Sequence, residues 1–236
     1  MQNLFAGDIY KNKSSKTCLV LFSAAFLLAI LSCKVVRISA ADEKNAADAS
    51  KGVTFGDSAF DAKKYANDIW DTKVLYRINQ NSVDMHTLIS GLKSDKDGTC
   101  AEYGYRVGDE GSYYNFAVKG KIKILAVHTE SRNGILDADI EPYDDKKDIT
   151  IQIGPVFTGT TIRDYLDFIS INTFENQVEF AKLGTELNMC VRDTVVKNID
   201  FTKLIGKECT LTGVFTFNSG TDNIVVIPVN FSYLEN

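Results

Sequence analysis

The chain has 236 residues and a mass of 26.1 kDa, with 44% apolar and 24% charged residues, the balance of a globular protein. That composition excludes a wholly disordered chain and a polytopic membrane protein. A net charge of −5 and a pI near 5.1 argue against a nucleic-acid binder, and two histidines with five scattered cysteines leave little material for a zinc site.

Lys11, Lys13 and Lys16 stand against one acid, Asp8, at the start of the chain. Cys18 to Leu31 then runs for 14 residues without a charge. That is too short for a comfortable transmembrane helix of about 20 residues. A basic segment followed by an apolar core of this length is the secretory signal pattern. Ile30-Leu31-Ser32-Cys33 comes next and resembles a bacterial lipobox, with an aliphatic residue three positions before a cysteine and a small residue just before it. The expectation is cleavage after Ser32 and a lipid on Cys33. An uncleaved membrane anchor with an incidental cysteine is the alternative. Each buried CH₂ contributes ~0.8 kcal/mol, so several acyl chains on one residue hold a water-soluble domain firmly to a bilayer.

Removal of residues 1–32 takes away three lysines and one acid and leaves 23 basic and 30 acidic residues, a net charge of −7. The anchor, not surface charge, must then hold the membrane. Residues 38–52 are rich in Ala, Asp, Lys and Ser without an apolar period and read as a solvated tether. Three parts result: a signal peptide over 1–32, a flexible tether over 33–52, and one α+β domain over 53–236. Within that domain 53–112 forms a helical extension and 113–236 the core. The expected location is outside the cytosol, lipid-anchored and facing the periplasm or the cell exterior.

Phe60, Tyr65, Ile69 and Trp70 recur at helical spacing, and a second helix is expected from near Asp84 to Leu92. Residues 94–112, rich in Gly, Asp, Lys and Ser, read as a long loop. The period then changes to two. Phe116, Val118, Ile122 and Ile124 mark one face of a strand, and Lys119, Lys121 and Lys123 the other. Asn133-Gly134 signals a hairpin turn. The return strand places Leu136, Ala138 and Ile140 inside, and Asp137 and Asp139 outside, where they pair with the lysines. A third strand is expected over Asp148–Ile153.

Thr161 with Asp164 resembles a capping box opening a short helix. A longer helix follows from about Thr173 to Lys197, with Phe180, Leu183, Leu187, Cys190, Val191 and Val195 on one face. Two further strands close the chain, Cys209–Phe217 and Ile224–Tyr233, with Pro228 at an edge or a bulge. The order β-β-β-α-β-β is that of an OB-like five-stranded barrel. An open sheet with the long helix across it is the alternative. Cys100, Cys190 and Cys209 are an odd set, read as small buried residues, with a Cys190–Cys209 bridge as the alternative permitted by export.

Gly154 to Thr161 is a near miss for a phosphate loop: two glycines lie between a strand and a helix, but Thr160 stands where the lysine is required. What remains is a glycine turn, two hydroxyls and Arg163, able to hold a small anion or a sugar's hydroxyls, or else a turn stapled by an Arg163–Asp164 pair. Asn176 and Gln177 open the long helix and serve as caps or line a polar cleft. Trp70 reads as core, and His128, with the parity of the apolar face, as a buried histidine; His86 has no visible partner. No catalytic triad order, metal-spaced cluster or nucleophile elbow appears, so no catalytic residue, cofactor or metal is expected.

Several runs together carry a family resemblance. They are Cys33-Lys-Val-Val, Phe60 to Asp71, Ser131 to Gly134, Ile153 to Asp164, Phe174-Glu-Asn-Gln-Val-Glu-Phe-Ala181 and Ile227-Pro-Val229. From about Cys33 to Phe231 the chain resembles the predicted bacterial lipoproteins grouped as domain of unknown function 2291. The resemblance implies a lipid anchor and no assigned activity. Members are often encoded beside ribose-type sugar ABC importers, which implies an envelope accessory to carbohydrate uptake, with transporter subunits or a substrate-binding protein as partners. The leading expectation is a non-catalytic binding or adaptor module. It is tethered by Cys33 and makes contact through Thr160, Thr161, Arg163, Asp164, Asn176 and Gln177. A hydrolase-like enzyme using a carboxylate with Arg163, and a purely structural lipoprotein, are the alternatives.

Overall fold

The computed structural model describes residues 60–107, 112–218 and 223–233. The expected signal peptide, Cys33 and the tether lie outside the described residues. The first described helix, α1 (Ala62–Ile69), begins where the Asp61 carboxylate accepts the Lys64 N–H at 2.9 Å. It widens into a π turn (Trp70–Leu75) and continues as α2 (Tyr76–Asn81). Ala66, Ile69, Trp70, Val74 and Ile78 are buried along this run, so Trp70 is a core residue. A two-residue strand, β1 (Val83–Asp84), leads into α3 (Met85–Ser94), capped by Asp84.

The loop expected over 94–112 is in part a helix, α4 (Lys96–Tyr103). Asp95 caps it by accepting the Gly98 N–H, while Thr99 and Cys100 are buried beneath. The polar run Ser94 to Thr99 hides this helix because its start rests on one cap and its burial on two small side chains.

Five strands form the barrel: β2 (Tyr114–His128), β3 (Asn133–Ile140), β4 (Ile149–Pro155), β5 (Glu208–Phe217) and β6 (Ile224–Tyr233). They pair in the order β2-β3-β4-β6-β5, and β2 pairs back onto β5, which closes the sheet. The β4–β6 pair is parallel and the other barrel pairs are antiparallel. A short helix α5 (Thr161–Tyr165) and the long helix α6 (Gln177–Val191) lie between β4 and β5. This is the OB-type order, with α6 continuing through a π turn (Arg192–Val196). Phe116 and Phe215 stack inside at 5.3 Å between centroids, beside Val118, Ile122, Ile124, Leu136 and Ile151, all fully buried. Burial of side chains of this size contributes about 1.5–3 kcal/mol each.

Pro228 sits at a bulge opposite Gly213, where no ladder donor is needed. A second bulge in β2, between Ile124 and Ala126, reverses the parity beyond it. His128 is therefore not buried: its side chain is 45% exposed, and its Nε2 lies 3.0 Å from Asp137 Oδ2.

Asn133-Gly134 is not the turn but the start of β3. Gly134 is required there because a Cβ would meet the Gly154 carbonyl at 2.5 Å. Asp139 is not on a wet face either. It is fully buried, and its Oδ2 accepts the N–H groups of Asp144 (3.0 Å) and Asp145 (2.6 Å). The loop after β3 closes over it, so Lys123 pairs with Asp145 instead, at 2.6 Å. Cys100, Cys190 and Cys209 are free, buried thiols, and no Cys190–Cys209 bridge is formed.

Candidate functional site

The segment after β4 turns on two glycines in the left-handed region, Gly154 (φ 67°) and Gly159 (φ 85°). The Val156 N–H donates to the Arg132 carbonyl at 2.9 Å and the Thr158 N–H to Gln152 Oε1 at 2.8 Å, so two of the segment's donors are engaged by the barrel. The capping position is Thr160, one residue before the expected Thr161. The Thr160 hydroxyl donates to Asp164 Oδ2 at 2.6 Å rather than accepting from the backbone.

Arg163 and Asp164 form the centre of the site. Arg163 donates to Asp164 Oδ1 from Nε (2.8 Å) and Nη2 (2.6 Å), and from Nη1 to the Phe180 carbonyl (3.1 Å). Its guanidinium lies 3.8 Å from the centroid of the Phe180 ring. The Arg163 side chain is 11% exposed and that of Asp164 34%. α6 approaches closely here: a Cβ at Gly184 would meet Thr160 Cγ2 at 3.0 Å.

A polar chain ties this pair to the barrel. The Thr161 and Thr216 hydroxyls lie 2.8 Å apart, the Thr216 hydroxyl donates to Asn115 Oδ1 at 2.6 Å, and Asn115 Nδ2 donates to the Asp164 carbonyl at 3.4 Å. A cavity of about 310 Å³ opens over Asn115, Thr216, Arg163, Asp164, Phe180 and Ile171. This is the lower end of the size range of small-molecule pockets. Val107, Tyr113 and Ile171 are exposed apolar side chains on the same cavity, so a polar floor carries a partly apolar rim.

Of the expected contact residues, Thr160, Thr161, Arg163 and Asp164 come together, and Arg163 and Asp164 line the cavity. Asn176 and Gln177 do not line it. Asn176 caps α6, its Oδ1 accepting the Val178 and Glu179 N–H groups at 3.0 Å each, and Gln177 is exposed on the first turn. Asn115 and Thr216 were invisible as site residues, since strand alternation marks polar positions without saying which strands meet. His86 faces Ser90 Oγ at 3.4 Å.

Burial holds the Tyr165 hydroxyl above its ordinary pKa and pushes that of Tyr143 up to about 12. Among the described residues no group of three or more His, Cys, Asp or Glu side chains is arranged to hold a metal ion. Nor is any helix among them long and apolar enough to cross a membrane.

The chain belongs to the family of predicted periplasmic lipoproteins termed domain of unknown function 2291, matched over residues 23–232. Membership implies an exported, membrane-anchored protein, and the matched span takes in Cys33. The fold is similar to that in a crystal structure of an OB-fold protein from Thermotoga maritima, with a TM-score of 0.62 and 18% identity. That similarity covers 75% of this chain and 99% of the other. No curated protein matches the chain.

Proposed function

We propose that this lipoprotein is held to the membrane by a lipid on Cys33 and works as a non-catalytic binding or adaptor module for a sugar importer. The signal peptide ends at Ser32, residues 33–52 form the tether, and the barrel with its helices forms the working body. Contact is made at the cavity over Arg163 and Asp164.

The observation that carries this reading is the mutual engagement of Arg163 and Asp164. Three Arg163 donors are committed to Asp164 and to the Phe180 carbonyl, and both Asp164 carboxylate oxygens accept hydrogen bonds. Such a pair shapes and charges a recognition surface but leaves no carboxylate free to move a proton. A hydrolase would need Arg163 beside an acid held in its protonated form. The buried acid with a raised pKa, Asp139, lies on β3 and does not line this cavity. The polar floor and the exposed Tyr113 suit a hydroxylated ligand or the polar side chains of a partner, and the family's association with sugar importers supports that class.

Isothermal titration with pentoses, hexoses and a cognate sugar-binding protein tests the reading, together with co-purification from detergent extracts. Saturable heat that falls in Arg163→Ala, or transporter subunits in the eluate, is expected. Absence of both contradicts it.

A further inference from the structure

The cavity over Arg163 and Asp164 is a wedge between the barrel wall and the corner of α5 and α6. Asn115 of β2 and Thr216 of β5 stand opposite each other in the ladder and form one side. Arg163 and Asp164 from α5, with Phe180 from α6, form the other. The charge here is balanced. The guanidinium and the carboxylate hold each other, and among the described residues no other charged side chain lines the cavity. A neutral ligand suits that balance, since a net charge would lose water without meeting a free counter-ion.

The floor keeps open hydrogen-bonding capacity. Thr216 uses its only proton on Asn115 Oδ1, so the Thr161 hydroxyl donates to Thr216, and one Thr216 lone pair stays open. A carboxylate offers about four acceptor sites. Arg163 fills two at Asp164 Oδ1 and Thr160 fills one at Oδ2, so among the described residues Oδ2 can accept once more. Asn115 Nδ2 carries two N–H groups and donates one, to the Asp164 carbonyl. Thr216 is exposed and Asp164 partly so, and both line the cavity. Open acceptors beside an open donor match hydroxyl groups, which donate and accept at the same atom.

The rim is of the opposite kind. Val107, Tyr113 and Ile171 line the cavity and keep much of their apolar surface in water. A ligand bearing only hydroxyls gains little from this rim, whereas an apolar substituent removes it from water. We propose that the cavity binds a neutral glycoside, a sugar joined to an aromatic or aliphatic group. The sugar hydroxyls meet Asp164, Thr216 and Asn115, and the apolar group covers Tyr113, Val107 and Ile171. This rests on the reading of the cavity as the contact site, and it narrows the ligand class from sugars in general to sugars with an apolar substituent.

Phenyl β-D-glucoside, phenyl β-D-galactoside and phenyl β-D-xyloside are the probes, with the free sugars and phenol as controls, in isothermal titration of the full chain in lipid nanodiscs. At least one phenyl glycoside is expected to bind about tenfold more tightly than its free sugar and than phenol, a difference of about 1.4 kcal/mol. Tyr113→Ser and Ile171→Ser change exposed side chains and leave the melting temperature unchanged. Both bring that glycoside toward the affinity of the free sugar, whose own binding stays as it was. Absence of glycoside heat overturns the proposal. So does a glycoside no tighter than its free sugar or than phenol, or unchanged affinity in both variants. The underlying reading fails separately: heat from free sugars, or transporter subunits in the eluate, upholds it even where the phenyl group adds nothing.

Discussion

The Arg163 guanidinium stacks on the ring of Phe180, 3.8 Å from its centroid, and donates to the backbone carbonyl of that same residue at 3.1 Å. This double contact, with the grip on Asp164, fixes α5 against α6. A planar fork makes it possible, and an ammonium does not reproduce it. Arg163→Ala is expected to lower the unfolding free energy by about 2–3 kcal/mol, and Arg163→Lys by nearly as much. Urea denaturation measures both. A lysine variant as stable as wild type would show that charge alone, not the fork, holds the two helices.

Asp139 gives the protein a pH signature. Burial first, then the neighbouring Asp148 carboxyl, raises its pKa against the lowering effect of the Asp144 and Asp145 N–H groups. A raised carboxyl favours the protonated form in the folded chain. Its contribution is therefore most favourable at low pH and declines as pH climbs from the ordinary value near ~3.9 through the raised one. Asp139→Asn cannot ionise and removes this decline. Its melting temperature relative to wild type should rise across that window and then level off. Calorimetry over about pH 4 to 8 tests it, and two parallel curves would contradict it. Asp139→Ala loses both turn hydrogen bonds and should cost about 2–4 kcal/mol.

The inner thiols should be inert. Burial pushes those of Cys190 and Cys209 up to about 11 and raises that of Cys100. Little thiolate exists near neutrality, and access is closed. None of the three should react with a maleimide in the folded protein, and all three should react in guanidinium chloride. A native Cys190–Cys209 disulfide, seen as two missing thiols, would contradict the packing.

Gly213 lies at the β5–β6 bulge opposite Pro228. A Cβ there would meet Val226 Cγ1 at 2.5 Å and the Ile227 carbonyl at 2.6 Å. Backbone cannot step aside cheaply, so Gly213→Ala should cost about 2–3 kcal/mol. Gly206 has a φ of 78° but nothing within 4 Å of a Cβ, and Gly206→Ala should cost about 1–2 kcal/mol, the left-handed penalty alone. Denaturation midpoints separate the two cases, and equal losses would contradict the crowding at Gly213.

Much of the barrel was legible because its strands alternate cleanly. Phe116 to Ile124 and Cys209 to Phe217 show one apolar face each, and the long helix shows a 3.6 period through Val191. Legibility ended where one residue shifts the frame. The β2 bulge turned His128 outward, and a loop folding back on β3 buried Asp139, neither of which alternation encodes. The Arg163–Asp164 pair was visible as neighbours in sequence. Its partners Asn115 and Thr216 were not, since 101 positions separate them and only barrel closure brings them to 2.6 Å.

The most direct test of the central claim is metabolic labelling with radioactive palmitate in cells expressing either the wild type or Cys33→Ser. The account predicts label on the wild-type protein and none on the variant. Equal incorporation in the two would contradict it.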